Sequence, residues 1–324
     1  MTIITNTTLV FDVKGVREDL SNLIYNISPE DTPFIANAAR ESVDNTLYEW
    51  QRDALAAAVS TNAQLQGDDV TSFSAVTATV RMGNRTQIST KAIVVADTTN
   101  AVNTAGRKTE LALQITKRSA EIKRDMEKNV LDNVGAVAGN STTAPKTGTM
   151  GAIIGSIDGT NVSMGATATN PTDALLFTDP RNDGTQRAAT EALLKVVLQG
   201  AWTNGGSPDT IMVGPFNKSV FSGFAGIATK TYFQEAARPA AIIGSADVYV
   251  GEFGTYSIVP NRFQRDRDAW VLDFEYVSIM YLRPFKVEAL AKTGDAEKRF
   301  MVVEWGLKVA TDFAHGLLAD LLTS

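Results

Sequence analysis

Asn45-Thr46-Leu47-Tyr48-Glu49-Trp50-Gln51-Arg52-Asp53, together with the later run Thr71 to Arg81, decides how this chain is read. In the first run Leu47, Glu49 and Gln51 alternate with Tyr48, Trp50 and Arg52, the period-two pattern of a strand. In the second, Val76, Ala78 and Val80 alternate with Thr77, Thr79 and Arg81. Between them lies a polar, alanine-rich stretch through Gly67-Asp68-Asp69. The pair predicts a long hairpin with a small apolar payload, and such a hairpin is marginal in water unless something covers it. An ordinary surface hairpin is the competing reading. Cover by another copy of the same chain accounts better for the length, so self-assembly is the expectation the remaining sequence has to meet.

Downstream, Gly83-Asn84 reads as a break or bulge and Gln87 to Val95 as a further strand. Arg107 to Val134 predicts a helix of about 28 residues and about 42 Å, longer than a compact domain ordinarily uses. Leu111, Ile115, Ile122, Met126 and Val130 line one narrow stripe of it. Lys117, Arg118, Glu121, Lys123, Arg124, Asp125, Glu127 and Lys128 fill the rest as a solvated face or a binding stripe. Upstream, Ser28-Pro29-Glu30-Asp31 signals the start of a helix through Arg40, within an arm whose pieces need an outside surface to pack on.

The later chain reads as a small α/β unit. A helix over Gly184 to Gly200 turns Ala189, Leu193, Val196 and Val197 inward. A buried strand Thr210 to Val213 is followed by a helix from Pro215 to Phe224, and short strands follow at Asp247 to Val250, Tyr256 to Val259 and Ala269 to Asp273. Val277 to Leu290 and Arg299 to Thr311 form a strand pair around Lys292-Thr293-Gly294-Asp295, and Ala310 to Leu322 reads as an apolar tail.

Composition narrows the function. The 324 residues are 44% hydrophobic, enough for a packed core, and carry no cysteine, which removes disulfide frameworks and thiolate chemistry. No apolar run approaches a membrane span, and Met1 to Asn6 lacks the features of a secretory signal. A net charge of −6 argues against a dedicated nucleic-acid binder while permitting a protein that encloses nucleic acid.

Catalytic motifs fail on spacing. Gly214-Pro215-Phe216-Asn217-Lys218-Ser219 lacks the second glycine of a phosphate loop, and Asp179 to Gly184 places Arg181 where a calcium loop needs an oxygen ligand. Gly155-Ser156-Ile157-Asp158-Gly159 is no nucleophile elbow, and Glu49, Asp53, Asp273 and Glu275 are carboxylates without a shown pairing. His315, the single histidine, reads as a hydrogen-bonded packing residue, and Arg262, Arg265, Asp266, Arg267 and Asp268 as an exposed salt-bridged loop with phosphate contact as the lesser reading. No catalytic residue, metal site or cofactor is expected.

Glu49-Trp50-Gln51-Arg52-Asp53-Ala54-Leu55, Gln66-Gly67, Asn84-Arg85-Thr86-Gln87-Ile88 and Ala120-Glu121-Ile122-Lys123-Arg124-Asp125-Met126-Glu127 are similar to the SU-ten-type family of tailed-phage major capsid proteins. The resemblance implies an α+β chain of the Hong Kong (HK-ninety-seven) type capsid fold. Its parts would be an N-terminal arm (1–44), an extended loop with its following strand (45–95), a peripheral domain with a spine helix (96–183), an axial domain (184–280) and a return to the peripheral domain (281–324). It implies subunit contacts at Trp50, Leu55, Gln66, Gly67, Asp68, Arg118 and Arg124.

It further implies hexamers and pentamers closing an icosahedral shell around double-stranded DNA without sequence-specific binding. A separate scaffolding protein, a portal and a cement protein are the implied partners, with no membrane and with assembly in the host cytoplasm. Because no lysine lies between Lys14 and Lys91, the loop-tip crosslink of some relatives is not expected. An encapsulin-like compartment shares the implied fold and is the alternative. A carbohydrate-active or hydrolase-like enzyme rests on unplaced carboxylates alone.

Overall fold

A computed structural model describes residues 28, 31–67, 69, 73, 75–76, 78–102, 106–224 and 247–324. Its longest strands are those with the most sustained β-branched and aromatic content: β4 (Gln87–Ala96), β10 (Val277–Ala289) and β11 (Ala296–Val309). They form a four-stranded sheet in the order β1-β10-β11-β4, in which β1 (Ala39–Ser42) runs parallel to β10 and the other neighbours are antiparallel. Register shifts between Tyr281 and Lys286 mark irregularities in β10.

Packed on β4 is α3 (Glu110–Val130). Ile122, Met126 and Val130 are buried beneath it and Leu111 and Ile115 flank them, as the stripe predicts. The helix is shorter than expected at both ends: the Thr109 hydroxyl accepts from the Ala112 N–H to cap its start, and Leu131 leaves helical geometry. Its 21 residues span about 31 Å. Glu127, expected on the solvated face, is buried.

A second sheet, ordered β5-β12-β9-β6-β8-β7, contains β5 (Val162–Ser163), β6 (Thr210–Val213), β7 (Val248–Val250), β8 (Thr255–Pro260), β9 (Ala269–Leu272) and β12 (Gly316–Leu318). Period-two alternation makes this sheet a wall between two cores. Ile211, Val213, Ala269 and Val271 face a cluster with Leu194, Val197 and Leu198 of α5 (Glu191–Thr203). Met212, Trp270 and Leu272 face the larger cluster, which holds Ile122, Met126, Val303 and Trp305. The short helices α1 (Pro33–Asn37), α2 (Asp97–Ala101), α4 (Met150–Ile153) and α6 (Pro215–Phe221) and the hairpin of β2 (Leu47–Arg52) with β3 (Val80–Arg85) lie around these sheets.

Several expectations shift. The helix expected over residues 28–40 is helical at Pro33–Asn37 and then becomes β1; Pro29 and Glu30 lie outside the described residues. The helix expected from Gly184 starts at Glu191, where the Thr190 hydroxyl accepts from the Leu193 N–H. The face turned to the core carries Leu194, Val197 and Leu198, and Val196 is exposed. Residues 316–318 are a buried strand paired with β9, so the chain end packs in the six-stranded sheet rather than with β10 and β11.

Candidate functional site: a hairpin locked at its foot and bare beyond it

β2 (Leu47–Arg52) pairs antiparallel with β3 (Val80–Arg85), from Leu47 opposite Arg85 to Arg52 opposite Val80. Gly83 and Asn84, expected to break the strand, continue it opposite Glu49 and Tyr48. The Asn84 side chain is the reason: fully buried, it donates to the carbonyls of Gly148 (2.9 Å) and Leu307 (2.8 Å) and accepts from the Gly148 N–H (2.8 Å). Satisfying three buried backbone groups at once, it fastens the hairpin to its own body.

The same foot is held from β2. The buried Tyr48 hydroxyl donates to the Leu307 carbonyl at 2.8 Å, and burial pushes its pKa up. Gly306 makes room for it, since a Cβ there would overlap that hydroxyl. Trp50, expected as a subunit contact, is half-buried between the rings of Tyr48 and Phe177 (centroids 6.1 Å away in each case) and donates to the Ala310 carbonyl. The Arg52 guanidinium lies 4.7 Å from the Phe313 ring centroid. Next to Phe313, burial raises the Asp312 carboxyl to about 6, opposed by the Ile157 N–H and by Arg52.

Beyond Arg52 the anchoring stops. The expected second strand is absent over Ala78 and Thr79, and Thr71, Ser72, Ser74 and Thr77 lie outside the described residues. Leu55 is 99% exposed, Leu65 81%, Phe73 86% and Val76 97%. Gln66 and Gly67 form an exposed turn in which Gly67 has φ +84° and meets nothing within 4 Å; Asp68 lies outside the described residues. Five large apolar side chains left bare within one segment, Val59 being the fifth, make it the candidate surface for a partner.

The two helix residues singled out lie elsewhere. Arg118 pairs with Glu121 one turn along α3 at 2.6 Å, and the Arg124 guanidinium sits 5.2 Å from the Phe263 ring centroid. The structure does not bring either beside the hairpin foot.

Chemistry is sparse. Among the described residues no group of three His, Cys, Asp or Glu side chains could hold a metal, and no helix is long and apolar enough to cross a membrane. Lys218 is engaged by Asp247 and the Ile258 carbonyl, and the Ser156 hydroxyl donates to the Ile153 carbonyl. Arg181 is buried against Asp268 at 2.8 Å, filling the place a cation would need with a guanidinium. The Arg262-to-Asp268 run is ion-paired as expected, through Arg265 and Arg267 to Asp183 and Asp320, but Asp268 is buried. His315 is a core residue: its Nδ1 accepts from the Asp273 N–H and burial lowers its pKa to about 3.

One polar residue had no recognisable sequence signal. Glu127 accepts from the N–H groups of Phe34 (2.8 Å) and Ile35 (2.9 Å) at the start of α1 and from Asn261 Nδ2 (2.6 Å). Burial pushes its pKa up against those three donors.

This arrangement of a long-stranded sheet, a spanning helix, a second mixed sheet and a protruding hairpin is the Hong Kong type capsid fold, in an α+β chain. It superposes on a subunit of the cyanophage A-1(L) capsid with a TM-score of 0.58 at 11% identity, covering 95% of this chain and 98% of that one. It also superposes on a chain of the holo-SrpI encapsulin complex from Synechococcus elongatus PCC 7942 with a TM-score of 0.55 at 11% identity, covering 95% and 94%. These likenesses define the fold class, shared by the phage capsid and encapsulin chains alike. Residues 3–322 match the model of the SU10 major capsid protein family, and the chain belongs to that family. The major capsid protein of Escherichia phage Phieco32 is 29% identical over 337 residues, spanning 95% of each chain.

Proposed function

We propose that copies of this chain form hexamers and pentamers that close into an icosahedral shell around double-stranded DNA. In that shell residues 53–79 lie across a neighbouring subunit. The observation that carries this reading is the contrast within one hairpin: its foot is bound to its own body, while Leu55, Leu65, Phe73 and Val76 have no apolar cover. Many modest contacts of this kind, repeated around closed symmetry, sum to a stable particle. The role is structural rather than catalytic. Residues 184–280 with the chain end form the axial unit around the capsomer axes. A separate scaffolding protein, a portal and a cement protein complete the particle, whose subunits assemble in the host cytoplasm.

Deleting Gln64 to Thr71 is expected to leave a folded chain, by circular dichroism, that forms no shells in negative-stain micrographs. Complete shells from the deletion would overturn the role assigned to the loop. An encapsulin-like compartment is the second reading, favoured by the superposition on the encapsulin chain. Purified particles distinguish the two by their contents, DNA for the first and protein cargo for the second.

A further inference from the structure

Cations of α3 and of the β8–β9 loop, far apart in sequence, sit on elements packed against each other. Lys117, Arg124 and Lys128 fall within about 40° of one line along α3 and span about 17 Å of it. Lys123 lies on the other side of the seam where the β8–β9 loop packs. In that loop Asn261 bonds Glu127 and Phe263 lies under Arg124, so the backbone at the exposed Arg262 between them runs beside the helix.

The acids of α3 are already engaged, and in the loop Asp266 is exposed on its own. Glu110 pairs with Arg107, Glu121 with Arg118 and Lys91, Asp125 with Lys91, and Glu127 is buried against backbone N–H groups. Among the described residues no carboxylate lies within ion-pairing distance of Lys117, Lys123, Arg124, Lys128 or Arg262. A concentrated positive field on a chain of net charge −6 is a feature in its own right.

We propose that this flank binds the phosphate backbone of double-stranded nucleic acid. A protein partner would need an apolar centre, and no large apolar side chain is exposed on α3 or over residues 261–268. Phosphate needs only positioned cations and carries no sequence information, which suits general contact with an enclosed genome. The identity of the ligand rests on the shell reading above; the patch itself does not.

The test uses the purified, unassembled full chain and a fluorescein-labelled 30-base-pair duplex, titrated by anisotropy from 50 to 200 mM KCl. Combining Lys117→Gln, Lys123→Gln, Lys128→Gln and Arg262→Gln leaves the Arg124 stack intact. It is expected to make the slope of log affinity against log salt shallower by about 3 to 4, equivalent to losing about 100-fold of salt sensitivity over that range. Neutralising Lys195, Lys286, Lys292 and Lys298 instead is expected to leave the slope unchanged. A wild-type slope in the patch variant, an equal loss in the control, no duplex binding by the wild type, or binding of polyglutamate in its place would each overturn the proposal. Micrographs of the same preparations keep the two readings apart. Shells with an unaltered slope count against the patch alone, and a shallower slope without wild-type shells counts against the shell alone.

Discussion

The two ends of one hairpin obey opposite rules. At the foot, Tyr48, Trp50 and Asn84 spend their polar atoms on carbonyls of the same chain, from residues 148 to 310. Past Arg52 the described residues are exposed, and large apolar side chains stand in solvent. Conformational entropy opposes ordering at both ends equally, so the difference lies in what is available to offset it. The chain supplies its own cover for the foot and leaves the described apolar side chains of the rest bare, so on the proposed reading fold stability and assembly are separated within a few tens of residues.

That separation can be broken from either side. Asn84→Ala strips the Gly148 N–H and carbonyl of a buried partner and is expected to destabilise the isolated chain by about 2–4 kcal/mol, read as a lower urea midpoint. Asp312→Asn sharpens the foot instead. With a folded pKa of about 6, above its usual 3.8, the carboxyl favours the fold most below about pH 4, and that contribution is lost as pH rises through 6. The amide variant is therefore expected to be more stable by on the order of 2 kcal/mol at pH 7 and unchanged at pH 4, in melts at both pH values. The smallest effect belongs to the far end. Leu55→Ser with Val76→Ser should move the stability of the unassembled chain by less than about 0.5 kcal/mol while reducing the yield of shells, and a large loss of chain stability would show that these side chains are covered from within.

Much of the scaffold is legible from pattern alone. Alternation marks β2, a fully apolar run marks β6, and strand-rich stretches mark β4, β10 and β11. What escapes notice depends on distant partners. Gly83-Asn84 looks like a turn until Asn84 is seen to serve Gly148 and Leu307, and Gly316-Leu317-Leu318 looks like a tail until β9 is placed beside it. The helix expected from residue 184 starts at Glu191 because Thr190 offers the cap, and its buried face takes Leu194 where Val196 is expected because packing against the second sheet sets it. Glu127 reads as one more charge among many, since nothing adjacent to it announces Phe34, Ile35 or Asn261. For the candidate site, the polar, alanine-rich stretch was legible as a protruding tip, whereas Leu55 and Gln66 were singled out by the family resemblance alone. The inward commitment of Trp50 was not legible, because it requires Phe177 and Ala310 to lie beside it.

Glu127 has a mechanical corollary. One carboxylate on the spanning helix is shared by the start of the arm helix and by the loop leading out of the second sheet. Neither can slide by much more than an ångström without forfeiting hydrogen bonds to that common acceptor. Any tilt of the second sheet against the spanning helix would therefore be felt at the start of α1 through a single side chain, like two levers turning on one pin.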